Sequence, residues 1–351
     1  MGEDRIRGPA LGLLLFSDYT ISQLVELAVL GEKLGYRDFW YTDVRFARDC
    51  YLGLAAAAAR TSTIRLGTGV TDPYSRHPAL TAAAIATLDE MADGRAVLGL
   101  GTGGAGFREL GLERTRPVAA LRETVDMVRS LLRGDTVERA GKVVSLAGGK
   151  LSFTARRPAI PIYFATHGAQ VTRLAGEVAH GVLIANTLLP NAFAHYLALL
   201  EQGFAKAARD PDGFDIGLRV EACIAEDDDA AFAVMRRRVA TRVLSQYPHW
   251  DYLAELGITL PAEFVTLAAE RRLGVEQAAA LMPDSAVESM VLAGNPERVA
   301  SQLARALHPR ITQVTLRPHA IKGQDIAEVV RAFAEQVVPL ALALRERMIT
   351  A

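Results

Sequence analysis

Short apolar runs alternate with longer segments of helical periodicity along almost the whole chain. The first run, Leu11 to Phe16, is continuous enough for a strand buried on both faces. Ser17 to Thr20 is polar, and Thr20 or Ser22 is placed to cap a helix in which Leu24, Leu27, Ala28, Leu30 and Leu34 recur at helical spacing. Arg37 to Thr42 reads as a second strand, and about Tyr51 to Arg60 as a second helix. The most regular stretch is Ile64 to Gly104. Its strand Ile64 to Val70 and its strand Ala96 to Leu100 flank a helix from Pro78 to about Met91. Proline suits a first helical turn, and Asp93-Gly94 is a stop signal. Further helices are expected over about Pro117 to Arg133, from the entry stretch Thr166 to Gln170 on to about Ala179, and over Pro190 to Arg209 and Asp325 to Arg345. Further strands are expected at Ile160 to Ala165, Gly181 to Ala185, Ile216 to Ala225 and Thr312 to Arg317. Asp227, Asp228 and Asp229 open another helix, with acids at the positive end of its dipole.

Two segments break this rhythm. Residues 136–158 hold short β-type runs, Val143-Val144 and Leu151 to Phe153, around Gly148-Gly149, and read as a hairpin-like insertion. Residues 247–290 are helical in composition and hold no strand, which marks an insertion or a helical cap. The remaining eight strand–helix units call for a parallel sheet and close most simply into a (β/α)8 TIM barrel, an α/β fold read here as one domain over 1–351. An open doubly wound sheet would carry GxGxxG after its first strand, and Leu11 to Thr20 has no such loop.

Composition narrows the function classes. The chain has 351 residues, 50% hydrophobic, with a formal net charge of −1. Nothing is basic enough to track a nucleic-acid backbone. Cys50 and Cys223 lie far apart without CxxC spacing, so a disulfide framework or a metal site is not expected. The N-terminal apolar run is too short for a signal-peptide core, and no stretch approaches the ~20 apolar residues of a membrane span. A soluble cytoplasmic protein acting on a small molecule is the expectation.

In a (β/α)8 barrel the site lies at the C-terminal ends of the strands. Position alone therefore nominates Asp18, Asp43, Gly69-Val70, Thr71-Asp72, Thr102-Gly103, the stretch Thr166, His167, Gly168, Ala169 and Gln170, and Asn186. Asp43 can accept hydrogen bonds from a ligand, or it can serve as a helix cap or as a partner for Arg45 or Arg48. Residues 166–170 run from a strand into a helix, where free N–H groups make an anion site, or they form an ordinary small-residue turn. Arg76 and His77 can be structural, with His77 ordering the loop before Pro78.

The segments GTGVTDPYSRHP (67–78), TAAAIATLDEMADGRAVLGLGTG (81–103), YFATHGAQVTRLAGEVAHG (163–181) and AGNPERVASQL (293–303) resemble the bacterial luciferase-like flavin and deazaflavin oxidoreductases. The resemblance is in particular to the coenzyme F420-dependent branch that includes methylenetetrahydromethanopterin reductase. The resemblance covers about residues 10 to 340. It implies a luciferase-like barrel, a homodimer, and coenzyme F420 as hydride carrier, with an FMN-dependent monooxygenase or a non-catalytic partner subunit as alternatives. It also implies that Asp43 contacts the cofactor ring, that Gly69-Val70 forms a cis peptide behind that ring, and that Thr166 to Gln170 bind the cofactor phosphate. Thr102 and Gly103 line the same cofactor-binding end. The sugar-phosphate dehydrogenases of this family place a histidine after the aspartate and a glutamate after the GxGTG strand end, where this chain has Val44 and Gly104. That substrate is therefore disfavoured, and Asp18 becomes the leading group for proton transfer.

Overall fold

The computed structural model describes residues 8–350 except 105, 167, 186 and 256. It opens with β1 (Ala10–Leu15), α1 (Ile21–Lys33), β2 (Asp38–Tyr41), α2 (Cys50–Ala58), β3 (Arg65–Thr68), α3 (Pro78–Met91), β4 (Ala96–Leu100) and α4 (Pro117–Leu132). Next come β5 (Val137–Ala140), β6 (Ser145–Gly149), β7 (Ile162–Thr166), α5 (Ala169–Val178), β8 (Gly181–Ala185), α6 (Pro190–Lys206), β9 (Asp215–Ile224) and α7 (Asp228–Ser245). The chain continues through α8 (Asp251–Glu255), α9 (Ala262–Ala269), α10 (Val275–Leu281) and α11 (Asp284–Met290). It ends with β10 (Leu292–Gly294), α12 (Pro296–Ala306), β11 (Gln313–His319), α13 (Ile326–Ala332), a π turn over Phe333–Val337, and α14 (Val338–Thr350).

The main sheet runs β10-β9-β11-β1-β2-β3-β4-β7-β8, and β8 pairs back onto β9. Eight of these strands thus close a (β/α)8 barrel, as the alternation predicts. β10 is a ninth, three-residue strand beside the end of β9, with Leu292 opposite Ala222 and Gly294 opposite Ile224. β10 and α12 lie outside the sequence reading, and so does the π turn within the last helical segment. The hairpin is real but is placed differently: Val137 pairs with Gly149 and Ala140 with Ser145. Val143-Val144 belong to its turn, and Leu151 to Phe153 form no strand. Residues 247–290 carry the helices α8 to α11, as expected from their composition.

Two compact units divide the chain: one of Ala10–Ile184 with Tyr196–Leu218, the other of Ala185–His195 with the chain from Arg219 onward. Leu14, Trp40, Val97, Tyr163 and Leu183 form a buried cluster in the first, with Trp40 and Tyr163 rings 5.4 Å apart. The indole explains one conspicuous glycine. A Cβ on Gly67 would lie 2.5 Å from the Trp40 ring, so this position is small for packing. Below that cluster the Asp38 carboxylate is bonded by Arg37 and Arg65, and Tyr163 Oη donates to Asp215 at 2.8 Å. The second unit has its own core around Met235, Val239, Phe264, Met282, Val287 and Met290.

Candidate functional site

Asp43 stands two residues beyond β2, half-buried. Its Oδ2 accepts the Thr71 hydroxyl at 2.7 Å, and Arg76 Nε lies 3.7 Å away. Neither Arg45 nor Arg48 is its partner. Arg45 pairs with Asp72, and Arg48 donates to the Ser17 carbonyl at 3.0 Å. Burial raises the Asp43 pKa; Thr71 and Arg76 pull against it, while Asp49 and Asp72 add to the rise. Arg76 in turn bonds Asp49 at 3.1 Å and lies over the Tyr51 ring, 4.7 Å from its centroid. The result is a carboxylate held in place by one hydroxyl and one cation, with part of its surface open.

Asp72 is nearly fully buried and already committed. It accepts from the Tyr74 and Ser75 amides, from the Ser75 hydroxyl and from Arg45. Arg45 also lies over the Phe107 ring at 4.4 Å, and Tyr74 meets the same ring edge-on. This knot fixes the loop after β4. Gly103, at φ +75°, is part of it, because a Cβ there would lie 2.4 Å from Phe107 and 3.1 Å from Asp72 Cγ. Thr102 is half-buried at the end of the same strand.

Gly69-Val70 is cis, as the resemblance implies. Both residues are half-buried. The Val70 side chain covers the glycines of the neighbouring strand: a Cβ on Gly101 would lie 2.6 Å from Val70 Cγ2, and one on Gly99 only 1.9 Å from the Thr68 carbonyl. Gly99 and Gly101 are thus small because neighbouring protein atoms fill the space a Cβ would take.

At the end of β7 the Thr166 hydroxyl bonds the Gly168 amide at 3.1 Å, and Thr172 Oγ1 donates to the Gly168 carbonyl at 3.0 Å. Thr166 thus shapes the turn instead of offering its hydroxyl outward. Gly168 is the N-cap of α5, no side chain caps that helix, and a Cβ on Gly168 would meet nothing within 4 Å. Open space outside an uncapped helix start fits a phosphate group. Ala169 and Gln170 form the first turn beside it. His167 and Asn186 lie outside the described residues.

Asp18 is exposed in the turn after β1, and among the described residues no hydrogen bond or ion pair ties it to the Asp43 group. His77 is structural: its Nδ1 accepts from the Ala79 amide at 3.2 Å, capping α3, and its Nε2 lies 3.0 Å from the Ser145 carbonyl. Sequence reasoning named Arg45 only as a possible partner of Asp43 and passed over the Tyr51 ring as a neighbour of Arg76. Both sit within a few residues of Asp43, and their long-range partners leave no trace in local patterning.

Residues 10–313 match the family model described as luciferase-like monooxygenase. The chain belongs to that family. A 5,10-methylenetetrahydromethanopterin reductase from Methanolobus tindarius is 32% identical to this luciferase-like chain, over 84% of it and 89% of the relative. An F420-dependent glucose-6-phosphate dehydrogenase from Microbacterium testaceum is 27% identical over 91% and 93% of the two chains. The solved structure of a coenzyme F420-dependent tetrahydromethanopterin reductase from Methanopyrus kandleri matches with a TM-score of 0.82 and 27% identity, covering 95% of this chain and 99% of that one.

Proposed function

We propose that this chain is a coenzyme F420-dependent oxidoreductase that transfers a hydride between the deazaflavin and a small organic substrate. The observation that carries the reading is the near full-length similarity, at 32% identity, to a relative named as methylenetetrahydromethanopterin reductase. When bound, the deazaflavin supplies a two-electron hydride carrier. Asp43, positioned by Thr71 and Arg76, would accept a hydrogen bond from the ring system. Gly69-Val70, Thr102 and Gly103 would help hold the ring. The stretch from Thr166 through Gln170, leading into α5, would hold the cofactor phosphate by backbone N–H groups and the helix dipole. Asp18 is the group proposed to move a proton, since Gly104 leaves no carboxylate at the end of β4.

We further propose a homodimer, a single barrel domain over 1–351, and a cytoplasmic setting; the two thiols, Cys50 and Cys223, are free and buried. Sedimentation equilibrium and limited proteolysis test the first two. The function itself is tested in an oxygen electrode. Reduced FMN with this protein should consume oxygen no faster than free reduced FMN. Protein-stimulated uptake would point instead to a flavin monooxygenase.

A further inference from the structure

Helix α12 divides its residues between two faces. Val299, Ala300, Leu303 and Ala304 are buried, while Arg298, Ser301, Gln302 and Arg305 follow one another at i, i+3, i+4 and i+7 and form a polar stripe. Within the unit of residues 185–195 and 219–351, this stripe lines a groove of about 930 Å3. Leu188 and Leu189, in the loop after β8, give the groove an apolar wall. The Leu188 amide donates to the Ser289 carbonyl at 2.9 Å, which fastens that wall to α11. Arg345 and Met348, three residues apart on α14, complete the lining from another side. A groove of this size admits a small organic molecule, whose pockets run to about 300–1,000 Å3.

The neutral polar groups of the lining are already engaged by the protein. Gln302 accepts from the Ala293 amide at 3.0 Å and donates to the Ala293 carbonyl at 3.3 Å. Ser289 Oγ donates to the Ser285 carbonyl, and Ser301 Oγ accepts from Arg305 Nη1 at 3.0 Å. The cations are less well met. Arg298 pairs with Asp228 at 3.3 Å. Among the described residues, Arg305 has only the neutral Ser301 as side-chain partner, and the Arg345 side chain makes no hydrogen bond or ion pair. The lining holds one carboxylate among the described residues, Glu288, against the three guanidiniums. A neighbour registers the imbalance. The His308 ring lies 5.6 Å from that of Phe193 on α6, and its pKa is lowered by burial and then by Arg345 and Arg310, with no acid acting against them. Met348 leaves an apolar side chain 52% exposed at the same groove. The guanidinium fork matches the oxygens of carboxylate and phosphate groups, and Leu188, Leu189 and Met348 suit an apolar body beside them.

We propose that the groove between α11, α12, α14 and the loop after β8 is a second ligand site, which takes a small amphipathic organic anion: Arg345 and Arg305 meet its acidic group, and Leu188 and Leu189 carry its apolar body. The groove shares no lining residue with the site around Asp43. The inference does not rest on the oxidoreductase reading and stands whichever cofactor the barrel takes.

The test uses the full wild-type chain with anilinonaphthalene sulfonate, an organic anion on an apolar body, as the probe. The neutral N-phenylnaphthylamine, the same body without the anion, is the control. Arginine labelling by phenylglyoxal is followed residue by residue by peptide mass spectrometry. The sulfonate should slow labelling of Arg345 and Arg305 several-fold relative to the control. In Arg345→Gln the probe concentration that protects Arg305 should rise about tenfold, and Arg345→Lys should recover part of the loss. Equal labelling of wild-type Arg345 and Arg305 with probe and control would overturn the site, whether or not Arg345→Gln folds. Protection confined to arginines outside the groove, such as Arg76 beside Asp43, would place the anion elsewhere and overturn it as well.

Discussion

At the scale of single residues, Asp43 carries the most weight. Position past a strand end nominated it, but its true companions, Thr71 and Arg76, come from the loop after the next strand. Such pairings form only once β2 and β3 lie side by side, with Tyr41 opposite Thr68. Asp43→Asn keeps an acceptor for the Thr71 hydroxyl and removes the charge. It should weaken F420 binding by about one decade while leaving Tm unchanged or raised, since burial disfavours the ionised acid. Unchanged affinity by fluorescence titration would make Asp43 a structural partner of Arg76. Glu32 offers a pH test of the scaffold. Burial pushes its pKa up, but the amides of Ile64, Thr63 and Ser62 outweigh that and hold it at about 2, below the ordinary 4.5. A depressed carboxylate stabilises the folded state above its ordinary value, and that contribution fades as pH falls from about 4.5 towards 2. Glu32→Gln should therefore lower Tm at neutral pH, by about 2–4 °C. The gap to wild type should close in acid, which a series of thermal melts against pH will show.

Among the elements, long periodic segments were legible and short or irregular ones were not. α3 and β4 match their expected bounds because Pro78 and the Asp93-Gly94 stop are local signals. β10 has three residues and sits directly after a helix, too short to show a period. The hairpin strands were misplaced because the chosen apolar pairs fall in and beyond its turn, while the pairing residues Val137–Ala140 hold Glu138 and Arg139 between two small or branched apolar residues and show no apolar run. The uncapped start of α5 gives the clearest prediction at this scale. Gly168 has φ −109° and open space where a Cβ would go, so Gly168→Asp meets no steric obstacle and supplies a good N-cap. The variant should fold as well as wild type by circular dichroism. Its carboxylate then occupies the place of the phosphate, and F420 binding should weaken by about one to two decades. A folded variant with wild-type affinity would move the phosphate elsewhere.

For the whole molecule, counting strand–helix units was enough to reach the barrel, because most of its parallel strands show as short, largely apolar runs between helical segments. Substrate choice is not written that way. Val44 and Gly104 mark where the sequence differs from the pattern expected of the sugar-phosphate dehydrogenases. The side chains around Glu221 show how distant segments meet: β9, α7 and β11 supply them from residues 219 to 319, and no local motif joins them. The cofactor is the claim on which the account turns. Equilibrium titration of the purified apoprotein with coenzyme F420 and, separately, with FMN tests it most directly. The account predicts saturable F420 binding and FMN binding weaker by at least about tenfold; FMN binding as tight as F420 or tighter, or no binding of F420, would contradict it.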